Sequence, residues 1–163
     1  MRSFKSAFLL LALALPACAH AGPPPSQPSA LLDNAAPVFK RPTLDGSVFD
    51  SSSTLGKTLV VKFFAKYCEP CKRTLPSVQA LHERHSDVAF VGISEDESER
   101  DALELQSQYG LTFPIILDRG NVLSGRFRVR DLPATFVVSP EGKVRWVGGP
   151  DQNEDDLSRV VEN

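Results

Sequence analysis

Cys68, Glu69, Pro70 and Cys71 are the residues whose types and spacing most directly suggest chemistry. Two thiols three positions apart can form a redox pair, half of a metal site, or a structural staple. Their place in the chain bears on the choice. The run before them, Thr58–Ala65 (TLVVKFFA), is rich in β-branched and aromatic residues and reads as a buried central strand. The run after them, Glu69–His85, puts Leu75, Val78 and Leu81 on one helical stripe, with Pro76 expected to kink it. The pair lies where a strand ends and a helix begins.

That place favours nucleophilic chemistry. A helix N-terminus offers unpaired N–H groups and partial positive charge, which stabilise a thiolate. Cys68, the earlier and more exposed thiol, would attack a partner's disulfide, and Cys71, one turn further in, would resolve the mixed disulfide. Pro70 stiffens the first turn, where its missing N–H matters little. The Glu69 carboxylate opposes thiolate formation, whereas Lys66, Lys72 and Arg73 favour it. The balance predicts a modestly activated Cys68 and a reducing pair. The exchange needs no cofactor.

A metal site is the second option. His82 and His85 complete a C-x2-C-x10-H-x2-H pattern. On one helix, however, Cys71 and His82 would stand roughly 16 Å apart, whereas zinc holds its ligands within about 2.3 Å. The two histidines read as a solvated helix end, and no metal is expected. A purely structural disulfide closes too short a loop to stabilise much.

The N-terminus sets the compartment. Arg2 and Lys5 precede the apolar run Ala7–Leu15, which Pro16 ends, in the pattern of a secretory signal. Ala19-His20-Ala21 would make residues 1–21 the signal. Leu15–Cys18 (LPAC) resembles a lipobox, which would make it 1–17 and leave Cys18 acylated as the membrane anchor. Residues 22–35 follow as a proline-rich linker, with four prolines in Gly22–Ala30. The domain is expected over 36–163, outside the cytoplasm, where disulfides persist. A net charge of -2 argues against a nucleic-acid partner.

Beyond Ala36, strand and helix alternate. Pro37–Asp50 reads as a hairpin turning at Asp45-Gly46. Val88–Ser94 and Phe113–Asp118 read as strands, and Glu95–Gly110 as a helix between them. Ala134–Gly149 reads as two strands about a Pro140/Gly142 turn, and Glu154–Glu162 as a last helix. This is an α/β pattern with a mixed sheet flanked by helices. Arg119, Arg126, Arg128 and Arg130 read as a solvated face. Leu132-Pro133 enters a strand, and the local sequence favours an ordinary trans bond.

Four features together resemble a thioredoxin-fold protein: the buried strand, the aromatic before Cys-x-x-Cys, Pro76 five residues after Cys71, and the strand entry Leu132-Pro133-Ala134-Thr135-Phe136. The runs PVFKRPTLDGSVFD, FFAKYCEPCKRTLP, SEDESERDALELQSQYGLTFPIILD and RVRDLPATFVVSPEGKV resemble the TlpA/ResA branch of extracytoplasmic thiol-disulfide oxidoreductases. The likeness covers roughly Ala36 to Gly149. It implies a thioredoxin-like fold with an N-terminal β-hairpin and a central βα insertion. It also implies a cis bond at Pro133, Cys68 as attacker and Cys71 as resolver. Leu132 and Pro133 would bind an extended segment of a protein substrate bearing a disulfide, apocytochrome c being a frequent client of such enzymes. An upstream membrane or periplasmic thiol reductant would restore the dithiol.

Three positions depart from the pattern. Lys62 stands where thioredoxins have an acid that accepts the buried thiol's proton. Thr74 stands where ResA-type enzymes have a glutamate, and Tyr67 replaces the common tryptophan. Lys62 either tunes the thiols or lies at a solvated strand edge, and the local sequence favours the edge. A peroxiredoxin-like antioxidant is disfavoured, because Val61 and Ala65 occupy the places of its Pro and Thr/Ser. A non-catalytic binding module on the same fold is the remaining alternative.

Overall fold

The computed structural model describes residues 29–163. The proposed signal, Cys18 and most of the linker lie outside the described residues. A hairpin of β1 (Lys40–Pro42) and β2 (Val48–Asp50) precedes the sheet. Its turn passes through Gly46 at φ +83°, a conformation that suits glycine. The sheet has the order β5-β4-β3-β6-β7. Its strands are β3 (Leu59–Phe64), β4 (Ala89–Ser94), β5 (Ile115–Leu117), β6 (Ala134–Val138) and β7 (Val144–Gly148). β3, β4 and β5 run parallel, while β6 and β7 add antiparallel pairs, so the sheet is mixed as expected.

β3 is central and all six of its residues are buried. A residue-by-residue alternation divides its side chains between two layers. Val60 and Phe64 join a cluster with Cys68, Cys71, Leu75 and Trp146. This layer lies under α1 (Glu69–Arg84), α2 (Glu99–Tyr109) and α4 (Glu154–Glu162). Val61 and Phe63 face the other way, toward Phe39 of the hairpin segment and Phe127 of α3 (Val122–Phe127). There Phe63, Phe127 and Phe136 meet at 5.1–5.8 Å between ring centroids, mostly edge to face. The result is the expected thioredoxin-like fold, with α2 and β5 as the central insertion.

Several expectations need correction. Pro76, where a kink is expected, lies inside a single helix, α1. α2 begins at Glu99, four residues later than the acidic run suggests, so Glu95 lies outside it. α3 has no counterpart in the sequence reading. Its six residues give too short an apolar period, and the Asp118 carboxylate holds its start by accepting from the Leu123 and Ser124 amides. Leu32 and Ala35, inside the linker expected over 22–35, bridge β7 and its preceding turn, and Leu31 and Leu32 pack on the core. His82 is not a solvated helix end: its ring meets Phe90 at 5.2 Å and Phe113 at 5.8 Å.

Gly92 of β4 is required by a close approach. A Cβ there would stand 2.8 Å from Phe64 Cε1 and 3.0 Å from Phe113 Cε2, both on fully buried rings. Gly92→Ala is therefore expected to destabilise the fold by about 1–3 kcal/mol, the usual range for overpacking. A lowered denaturant midpoint at unchanged slope would show it; an unchanged midpoint would mean that the Phe64 ring gives way freely.

Candidate active site

Cys68 is the N-cap of α1, extended at φ -91° and ψ 100°. Its sulfur accepts from the Cys71 amide at 3.1 Å, one of the orphan donors of the first turn. Cys68 and Cys71 form a disulfide, with Cα atoms 5.3 Å apart. The two differ in access: Cys68 is 6% exposed and Cys71 0%. Pro70 lies in the first turn. No group of three or more His, Cys, Asp or Glu side chains suited to a metal occurs among the described residues.

The nearby charges are arranged differently from the sequence reading. Glu69 pairs with Lys72 at 2.5 Å, so neither acts on the thiol alone. Lys66 reaches Asp101 at 2.8 Å and Glu104 at 2.6 Å on α2. Its amide also donates to the Asp96 carboxylate, which ties the β3–α1 loop to the end of β4. The hydrogen bond to Asp101, then that to Glu104, raises the Lys66 pKa. Lys66 thus anchors the loop rather than activating Cys68. Thr74, where the resemblance places a glutamate, turns its hydroxyl to the Cys71 carbonyl at 3.1 Å.

Lys62 is the largest correction. It is not at a solvated edge but 1% exposed in the central strand, and its Nζ donates to Thr135 Oγ1 at 3.0 Å. Burial lowers its pKa from 10.5 to about 7.

An open groove of about 770 Å³ lies in front of Cys68. Tyr67, 72% exposed, Pro70, Arg130 and Leu132 are among the residues that line it. The Leu132-Pro133 bond is cis, as the resemblance implies and contrary to the local expectation. Arg130, assigned to a solvated face, lines this groove. Arg126 reaches back to the Val38 carbonyl at 2.9 Å.

Glu95 also lines the groove and was missed as a site residue. Burial pushes its carboxyl up, a hydrogen bond from Ser124 opposes this, and Asp118 adds to the rise. The available signal was positional, since Glu95 follows β4 at the same sheet edge that carries Cys68.

A family model described as the AhpC/TSA family matches residues 32–147. The thiol-disulfide oxidoreductase ResA of Bacillus thuringiensis (strain Al Hakam) is 29% identical over 111 residues, covering 67% of this chain and 64% of its own. ResA of Bacillus subtilis (strain 168) is 32% identical over 111 residues, covering 67% and 62%. This chain thus spans slightly under two thirds of the length of these relatives. Among solved structures, a secreted Mycobacterium tuberculosis disulfide oxidoreductase homologous to E. coli DsbE superposes with TM-score 0.71 at 29% identity, over 76% of this chain and 94% of that one. Mycobacterium tuberculosis DsbF, in mixed oxidized and reduced forms, gives TM-score 0.71 at 31% identity, over 76% and 92%. The match spans the sheet, the dithiol and the Leu132-Pro133 loop, and the chain belongs to the AhpC/TSA family as a thioredoxin-fold member similar to the ResA-type thiol-disulfide oxidoreductases.

Proposed function

We propose that this chain is a protein thiol-disulfide oxidoreductase that reduces disulfides of protein substrates through Cys68 and Cys71, outside the cytoplasm. The observation that carries the reading is the asymmetry of the pair. One sulfur caps a helix at the mouth of a groove, and the other is fully enclosed one turn below it. That arrangement suits attack by the first and resolution by the second.

In the reducing direction, the Cys68 thiolate attacks one sulfur of a client disulfide. The Cys68–client bond forms, and the client's other sulfur leaves as a thiolate that takes a proton from water. Cys71 then attacks Cys68, which closes the Cys68–Cys71 disulfide and frees the second client thiol. The client gains two electrons and the pair loses two. The groove beside Leu132 and Pro133 suits an extended client segment, apocytochromes c among the proteins that could present one. An upstream thiol donor at the membrane or in the periplasm would return the pair to the dithiol. The Ala7–Leu15 signal supports export, and Cys18 offers a lipid anchor if the lipobox is processed.

The test is the reduction potential of the Cys68/Cys71 pair, from equilibration in thiol buffers with an alkylation mass readout. A value near thioredoxin's, about -270 mV, is expected. A value near DsbA's, about -120 mV, would make the protein an oxidant. A pair that never cycles would leave a binding module, and peroxide turnover would favour the peroxiredoxin-like alternative.

A further inference from the structure

We propose that Glu95 sets client selection in the groove, by seating a lysine or arginine that flanks the client's disulfide cysteine. The inference rests on the disulfide-exchange reading and deepens it, since it names the kind of segment that Cys68 captures.

Backbone holds Glu95 close to the reactive loop. Its amide donates to the Phe64 carbonyl at 2.9 Å, at the end of the strand that leads into Cys68. The next residue, Asp96, accepts from the Lys66 amide at 2.9 Å. The segment after β4 is therefore stitched to the loop before α1, and Glu95 and Cys68 line one groove.

The Glu95 carboxylate is short of partners. Its Oε1 accepts from the Ser124 hydroxyl on α3. Burial is the first cause of its raised pKa, Asp118 adds to the rise, and only that hydroxyl opposes it. No lysine or arginine forms an ion pair with it among the described residues. A half-buried carboxylate in this state gains from a cation brought to it, because the surroundings that penalise a lone charge also screen a pair less.

Tyr67 extends the seat. It adjoins Cys68, lines the same groove and is 72% exposed. The Glu95 and Asp96 charges both act on its phenol, so the aromatic ring lies within the field of the carboxylate. A cation placed there gains from the ring face as well as from the negative charge.

The other charges at the groove do not offset Glu95. Glu69 is paired with Lys72. Asp96 is 5% exposed and engaged by the Lys66 amide and the Ser94 hydroxyl. Arg130 is exposed, and so is its neighbour Asp131 of opposite charge. Solvent screens both. Glu95 is left as the least screened charge in front of Cys68. A basic client segment is drawn in and oriented by it, and an acidic one is repelled.

The test mixes the reduced full chain with three fluorescent peptide disulfides. They differ only in the residues flanking the cysteine, which are lysine, norleucine or glutamate. Each capture rate is divided by the rate of the same peptide with 2-mercaptoethanol, which removes the peptide's own reactivity. The wild type should capture the lysine peptide roughly tenfold faster than the norleucine peptide, the low end for close charge pairs across an interface. The glutamate peptide should be slowest. In Glu95→Gln, which still accepts from Ser124, the lysine-to-norleucine ratio should fall toward one. In the wild type, raising the salt from about 0.02 to 0.5 M should shrink the same ratio. A wild type with no preference, or with one for glutamate, overturns the proposal. A lysine preference that survives in Glu95→Gln overturns it too, and so does a ratio that ignores salt, with no variant needed. A wild type that captures none of the three peptides would instead bring down the exchange reading itself.

Discussion

Cys71→Ser is expected to trap the protein as a mixed disulfide with its client and to lower turnover by roughly 10³-fold or more, as loss of a nucleophile does in other covalent mechanisms. Cys68 keeps its N-cap position and its access to the groove, so capture survives. What is lost is the enclosed sulfur, which at 0% exposure acts only on its neighbour. Cys68→Ser should form no mixed disulfide, because the remaining thiol cannot be reached. Non-reducing gels of the two variants, expressed with native clients, separate these results. Equal trapping by both would mean that the roles of the sulfurs are not divided by burial. Trapping by neither would leave the fold as a binding module.

The second large effect concerns stability. Lys62→Met should make the protein more stable at neutral pH. Below about pH 7, Lys62 is protonated in both folded and unfolded chains, and the penalty for burying its charge is full. Between about 7 and 10.5, the unfolded chain retains a proton that the folded chain has lost. Stability therefore rises with pH by roughly 1.4 kcal/mol per pH unit from this group. Above 10.5 the penalty is gone. Across that window the contribution is roughly 5 kcal/mol, a large share of a typical domain's stability. Methionine fills similar space without charge, so the variant should lack this slope and gain up to that amount at pH 6–7, less the bond to Thr135. Denaturant midpoints of both proteins from pH 6 to 9 check it. Parallel pH dependences in the two would mean that Lys62 finds water or a counter-charge in solution.

Most of the elements and the reactive pair are legible in local sequence patterns. β3, α1 and β4 follow from β-branched runs and a helical stripe, both local patterns. The placement of Cys68 and Cys71 at a strand-to-helix junction follows from the same adjacency, and so does the proposed order of their roles. The tertiary structure decided what depends on distant segments meeting. Lys62 is one residue in a hydrophobic run, and no local rule says that Gly92 and Thr135 flank it or that α1 covers it. Lys66 and Lys72 read as thiol activators until the fold paired them with Asp101, Glu104 and Glu69. α3, too short for a periodic signal, brings Ser124 against Glu95 and helps close the groove. Local pattern sets which face of an element is apolar. Only packing sets which charges are neutralised and which are stranded.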